Sequence, residues 1–211
     1  MSCIYRYTLV SEGSSDQILL RPIDWLLRKY LPADRFIPEG RWADLSKVPA
    51  RHRSLDNKCR VALDLYPCEI LFVHRDSDNR RKEDRVEEIR RALVPLDLNS
   101  LPWICVVPVR MTEAWFLFNE AAIRQAAGNP HGTVALTLPS LNRIESEPNA
   151  KKILHDMLRN ASELNGRRQK KFRPDKAAHR LGELITDFSP LRQLPAFSAL
   201  EEEVRRTVNA M

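Results

Sequence analysis

The sequence predicts an α/β protein: a mostly parallel sheet flanked by helices, with a helical annex at the C-terminal end. Three observations predict it. Short apolar runs at residues 4–10, 70–73 and 103–109 each stop abruptly at polar residues. Stretches with helical spacing separate them, and a βαβαβαβ order favours parallel strands joined by right-handed crossovers. Beyond Glu113 the strand-like runs give way to amphipathic helical stripes. At 211 residues the chain is long enough for one full core, or for a core with an annex.

The first strand is read over residues 4–10. Ser14, with Gln17 three residues on, has the pattern of a capping box. Ile18, Leu19, Ile23, Leu26, Leu27 and Tyr30 then follow at helical spacing, with Pro22 expected to kink the helix. Residues 35–38 read as a short, weak second strand. Residues 46–66 read as a helix with Cys59, Ala62 and Leu63 among its inward positions. Residues 70–73 form a buried strand, and residues 81–93 a charged helix with Val86, Ile89, Ala92 and Leu93 on its apolar stripe. Residues 103–109 make the next strand and residues 115–127 an apolar helix. Gly128-Asn129-Pro130-His131-Gly132 is a turn cluster. It places a boundary near 130, dividing an α/β core (1–130) from a helical extension packed on it (131–211). In the extension, Ile153, Leu154, Met157 and Leu158 form one stripe. Ala177, Leu181, Leu184 and Ile185 form a second, and Leu200, Val204 and Val208 a third. Ser198 with Glu201 suggests a capping box for the last helix.

The chemistry gathers where strands end. Leu71-Phe72-Val73-His74 runs into Arg75-Asp76-Ser77-Asp78. In extended chain, side chains at i and i+2 share a side, so Asp76 and Asp78 are expected to present paired hard oxygen ligands. His74 bears the same i, i+2 relation to Asp76. The first strand ends in Ser11-Glu12-Gly13, with Asp16 four residues after Glu12, and the fourth leads to Thr112-Glu113. Open parallel sheets bind ligands at this carboxyl edge. Acid from three strands suits Mg²⁺ or Mn²⁺, and two such ions can activate water and shield a leaving oxygen in phosphodiester hydrolysis. The acids therefore predict a metal-dependent enzyme acting on phosphates.

Glu-Gly after the first strand and Asp-x-Asp after a later strand of a parallel unit resemble the Toprim domain. That domain is shared by topoisomerases, bacterial primases and the overcoming-lysogenization-defect nucleases. The match covers residues 4–115. More closely, Glu113-Ala114-Trp115 and Asp187-Phe188-Ser189-Pro190-Leu191-Arg192 resemble an uncharacterised bacterial Toprim-like family of similar length. The resemblance implies catalytic roles for Glu12, Asp76, Asp78 and Glu113, and metal ligation by these four with Asp16. It also implies a nuclease acting on DNA or RNA, with anti-phage defence and an ATPase partner protein as its setting. No tyrosine-nucleophile domain accompanies the core, so topoisomerase chemistry is not expected.

Net charge is +6, compatible with a nucleic-acid partner. Arg167, Arg168, Lys170, Lys171 and Arg173 surround Phe172 in a segment suited to a phosphate backbone, with a ring available for stacking. Lys170 or Lys171 is also placed to reach the acids. Arg75 and Arg80 flank the aspartates and are candidate phosphate contacts. The five histidines lack metal-ligand spacing, and His131, His155 and His179 read as surface positions. The four cysteines lack zinc spacing and read as reduced thiols. No stretch is long and apolar enough for a membrane span, and the first residues lack a signal-peptide core, so a cytoplasmic location is expected. No Gly-x-x-x-x-Gly-Lys loop is present, which excludes a P-loop NTPase. Two alternatives remain open: a non-catalytic nucleic-acid or partner-binding subunit, and a metal-dependent nucleotide-sugar transferase.

Overall fold

The computed structural model describes residues 3–49, 54–78, 80–98 and 100–211. Four parallel strands, β1 (Cys3–Val10), β2 (Phe36–Trp42), β3 (Ile70–His74) and β4 (Trp103–Val106), lie in the order β2-β1-β3-β4. Tyr7 is registered against Ile70, and Val73 against both Val10 and Cys105. The two-residue period of the strands sorts their side chains between two apolar layers. Tyr5, Tyr7, Leu9, Ile70, Phe72, Ile104 and Val106 enter one layer. Val10, Leu71, Val73 and Cys105 enter the other.

Helices cover both faces. On the first lies α1 (Leu20–Tyr30), with Ile23, Leu26 and Leu27 fully buried. An isolated 11-residue helix is marginal in water. Burial of those three side chains, at about 1.5–3 kcal/mol each, is what holds it in place. On the second face lie α2 (Leu55–Leu65), through Cys59 and Ala62, and α3 (Lys82–Leu93), through Ile89 and Leu93. The remaining helices are α4 (Glu120–Ala126), α5 (Ala150–Ser162), α6 (Gly166–Lys171), α7 (Pro174–Leu184) and α8 (Pro195–Asn209). Of these, α7 packs on α4 and α5, while α8 packs on α1 and β4. The first apolar layer is continuous from Tyr5 to Val208, so residues on both sides of position 130 build it together. Glu201 of α8 ties the ends: it accepts from Lys29 Nζ (2.9 Å), Tyr30 Oη (2.7 Å) and Arg192 Nε (2.8 Å).

Several elements differ from the sequence reading. The second strand is seven residues long, not four, because Glu39, Gly40 and Arg41 also pair with β1. Gly40 is required there, since a Cβ would run into the Tyr7 ring. The turn at Ser14–Leu19 is 3₁₀, and α1 begins at Leu20, so Pro22 falls in a first turn, where it is tolerated without a kink. Gly13, not Ser14, precedes the turn, and Asp16 accepts its N–H at 2.9 Å. The expected helix at 46–66 begins at Leu55; its residues 50–53 lie outside the described chain. The fourth strand ends at Val106, ahead of Pro108, and the expected helix at 115–127 is a 3₁₀ turn at Thr112–Phe116 followed by α4. Ser198 lies inside α8 and donates to the Arg192 carbonyl, while Glu201 makes ion pairs, so neither forms a capping box. Buried Glu145 serves that helix instead, accepting from the Ala196 N–H (3.4 Å) and the Trp115 indole (3.3 Å). Cys59, read as an inward position, is a buried thiol, as is Cys105, while Cys3 is exposed. Among the described residues, no helix is long and apolar enough to cross a membrane.

Candidate functional site

The connection after β1 passes through α1 on one face toward β2. The connections after β2 and β3 pass through α2 and α3 on the other face, in the opposite direction. The loops leaving β1 and β3 therefore diverge and open a crevice at their carboxyl ends. In open parallel sheets such a crevice is where ligands bind. Glu12 and Asp16 follow β1, Asp76 follows β3, and Glu113 follows β4 in the 3₁₀ turn.

His74 is the floor of this crevice. It is the last residue of β3, fully buried, with Nδ1 2.9 Å from the Val106 carbonyl. That carbonyl can only accept, so Nδ1 carries the proton and Nε2 turns a lone pair toward the acids. Nε2 stands 3.5 Å from Asp76 Oδ1 and 3.8 Å from Asp16 Oδ2. Burial pushes the imidazole pKa down, against the pull of Asp16, which keeps the ring neutral. Thr112 Oγ1 lies 3.3 Å from both His74 Nε2 and Asp76 Oδ1. Asp76 is pushed up to about 8, first by burial and then by the charges of Asp16, Glu113 and Glu12; Thr112 opposes the rise. A carboxyl raised by neighbouring carboxyls marks a place short of positive charge.

The cations nearby are engaged elsewhere. Arg75 Nη1 holds Glu12 Oε1 at 3.0 Å and its Nη2 holds Glu88 Oε1 at 2.8 Å. Arg85, buried on α3, holds Glu88 at 2.8 Å and Asp78 at 2.9 Å. Glu12, Arg75, Glu88, Arg85 and Asp78 thus form one unbroken chain of ion pairs. Glu113 is held by Lys151 Nζ of α5 at 3.2 Å. One turn further along α5, His155 faces Asp175 of α7 at 3.4 Å, and both border a small cleft with Glu113 and Lys151.

The structure brings Asp16 and Asp76 together over His74, with the charges of Glu113 and Glu12 near enough to act on Asp76. It does not bring Asp78 there. The extended conformation ends at His74, Asp78 takes a left-handed backbone (φ 51°), and its carboxylate turns to Arg85. The i, i+2 relation holds for His74 and Asp76 and fails for Asp76 and Asp78. Of the basic candidates, Arg75 is locked in the ion-pair chain, while Arg80 is exposed. Arg167, Arg168, Lys170 and Lys171 stand exposed on α6, with Arg173 just beyond it. Lys151, not Lys170 or Lys171, is the lysine that reaches an acid of the crevice. Lys151, Thr112 and His155 carried no signal in the sequence, because only the packing of α5 against the 3₁₀ turn brings them together.

As a donor set, three carboxylates from three elements with one neutral imidazole nitrogen match what Mn²⁺ or Mg²⁺ takes. Among the described residues, no three His, Cys, Asp or Glu side chains stand in the closed arrangement of a ready metal site. The side chains that would hold an ion are Asp16, Asp76 and Glu113, with Glu12 joining once it leaves Arg75. No protein family matches this chain, and no curated protein or solved structure matches it.

Proposed function

We propose that this chain is a metal-dependent phosphodiesterase of Toprim type that cleaves DNA or RNA. The observation that carries the reading is convergence: acids from the ends of β1, β3 and β4 gather toward the crevice between β1 and β3, around an Asp76 whose pKa is raised by burial and by its neighbours' negative charge. A divalent ion in such a place supplies Lewis-acid shielding of phosphate oxygens and a more acidic coordinated water. Asp76 and Asp16 would anchor it, with His74 beneath them, its ring held through Nδ1 by the Val106 carbonyl. Thr112 fixes the Asp76 carboxylate by hydrogen bonding. Glu12, on the rim and paired with Arg75, is the acid that would accept a proton from the attacking water once that pair opens. Exposed α6 offers four cations to a phosphate backbone. Anti-phage defence and an ATPase partner belong to this reading through the Toprim resemblance, and a cytoplasmic setting is proposed with them.

A second reading has its own support. Glu12 and Asp78 are both satisfied by arginine, as they would be in a nucleic-acid-binding module that does no chemistry. Nothing in the site favours the nucleotide-sugar transferase. Calorimetric titration of Mn²⁺ into the wild type and Asp76→Ala, followed by labelled single- and double-stranded DNA and RNA, separates the two. Metal binding and cleavage that both vanish in the variant support the hydrolase. Wild type that binds nucleic acid but no Mn²⁺ refutes it and leaves the binding module.

A further inference from the structure

Resting on the hydrolase reading, we propose that a cavity beside Glu12 is a nucleotide subsite. It would hold the base and sugar of the residue flanking the phosphate addressed by the acids, with Lys58 on that residue's own phosphate. The cavity, about 260 Å³, opens between the loops that follow β1 and β2. Its walls mix the features that a nucleotide needs: Trp42 and Leu45 are apolar, Ser14 and Ser46 bring hydroxyls, and Lys58 brings an ammonium. Glu12 borders it, so a ligand here lies next to the acid crevice.

Three observations point to a ligand. First, Lys58 Nζ has only the Ser11 carbonyl, at 3.5 Å, and pairs with no carboxylate among the described residues. Glu12, which also lines the cavity, is already taken by Arg75. The cavity therefore keeps an uncompensated positive charge beside a centre that is negative.

Second, the Trp42 ring is fixed. Its Nε1 donates to Ser11 Oγ at 2.9 Å, and that hydroxyl donates onward to the Gly13 carbonyl at 3.0 Å. A ring already immobilised loses little entropy when a base packs on it.

Third, no packing contact requires glycine at Gly13, the residue that caps the turn after β1. Its φ of −152° is extended, and a Cβ there would meet nothing within 4 Å. Gly13 lines the cavity, so a side chain there would take space at its wall. A cavity that is half apolar and carries one ammonium suits a nucleotide better than a bare anion or a metal ion.

The test is 5′-AMP titrated by calorimetry into metal-free protein, with adenosine and inorganic phosphate titrated separately. Variants are Lys58→Met, Trp42→Ala and Gly13→Val, each checked for an unchanged melting temperature. The proposal expects saturable AMP binding, weaker binding of either fragment, and a loss of about tenfold or more on removing Lys58. Gly13→Val, which leaves every polar group in place, should also weaken AMP. Absence of saturable AMP binding, or binding indifferent to both Lys58→Met and Gly13→Val, overturns it. Cleavage of nucleic acid with a KM unchanged by these two variants refutes the subsite while the hydrolase stands. AMP binding that depends on Lys58, without Mn²⁺ binding or cleavage, supports the subsite and sinks the hydrolase.

Discussion

In the proposed metal site Arg75 and an ion would compete for the same Glu12 carboxylate, so replacing Arg75 with glutamine should tighten Mn²⁺ binding. The competing ion pair is 3.0 Å long, with side chains 23% and 39% exposed. A pair so open to water is worth about 0.2–1 kcal/mol, which corresponds to roughly 1.4- to 5-fold in affinity. Glu88 should act with the opposite sign. It is the other carboxylate on Arg75, so Glu88→Gln leaves Arg75 with Glu12 as its carboxylate partner and should weaken Mn²⁺ binding by a similar factor. Both changes also alter the local field, and a double-mutant cycle separates the two causes. If Glu88 acts through Arg75, its effect shrinks in the Arg75→Gln background; a plain field effect persists at full size. The assay is calorimetry at fixed pH and ionic strength on four proteins of matched melting temperature. Weaker binding by Arg75→Gln, or a Glu88 effect equal in both backgrounds, would refute the reasoning.

Three further outcomes are expected. Asp76 has a folded pKa of about 8, above an unfolded value of about 3.9, so the folded state binds more protons between those limits. Metal-free stability should therefore fall as pH rises from about 4 to about 8, by on the order of a few kcal/mol. Asp76→Asn should remove that fall in urea melts, and a wild-type-to-variant difference constant with pH would contradict it. Neutralising Arg167, Arg168, Lys170 and Lys171 together should lower the slope of log binding constant against log salt on duplex DNA by up to about 3–4; an unchanged slope removes α6 from the interface. Glu201→Ala strips Lys29, Tyr30 and Arg192 of a shared partner whose side chain is 11% exposed. It should cost about 2–4 kcal/mol and lower Tm by roughly 5–15 °C, whereas an unchanged Tm by calorimetry would show the cluster to be idle.

The ends of β1 and β3 were legible in the sequence to within a residue, because a buried parallel strand needs an unbroken apolar run and Leu71-Phe72-Val73 is one, whereas β4 stops at Val106, short of the expected 109. The longer β2 was not legible, because an edge strand pairs on one side alone and tolerates Glu39, Gly40 and Arg41, which read as loop. Strand periodicity pointed to Asp76, whose carboxylate does lie beside His74 although β3 has already ended. It misplaced Asp78, since one left-handed residue undoes that periodicity and leaves no trace in composition. Serine spacing suggested caps at Ser14 and Ser198, yet the groups that satisfy those turns are Asp16 and, from a distant segment, Glu145. Lys151 and His155 sit on an ordinary amphipathic helix, and their neighbours become known only when that helix is docked.

The apolar layer shared by Tyr5 and Val208 has a consequence for how this protein would fail. The acids sit at one end of a sheet whose cover is completed by the last helix of the chain. A lesion on α8, far in sequence from any acid, would leave the chemistry of each surviving native molecule intact. It would instead thin the number of molecules in that state. Under the proposed hydrolase, loss of activity from such a lesion would follow temperature steeply and be restored by cooling or a stabilising osmolyte, while loss from a change at Asp76 would persist at every temperature.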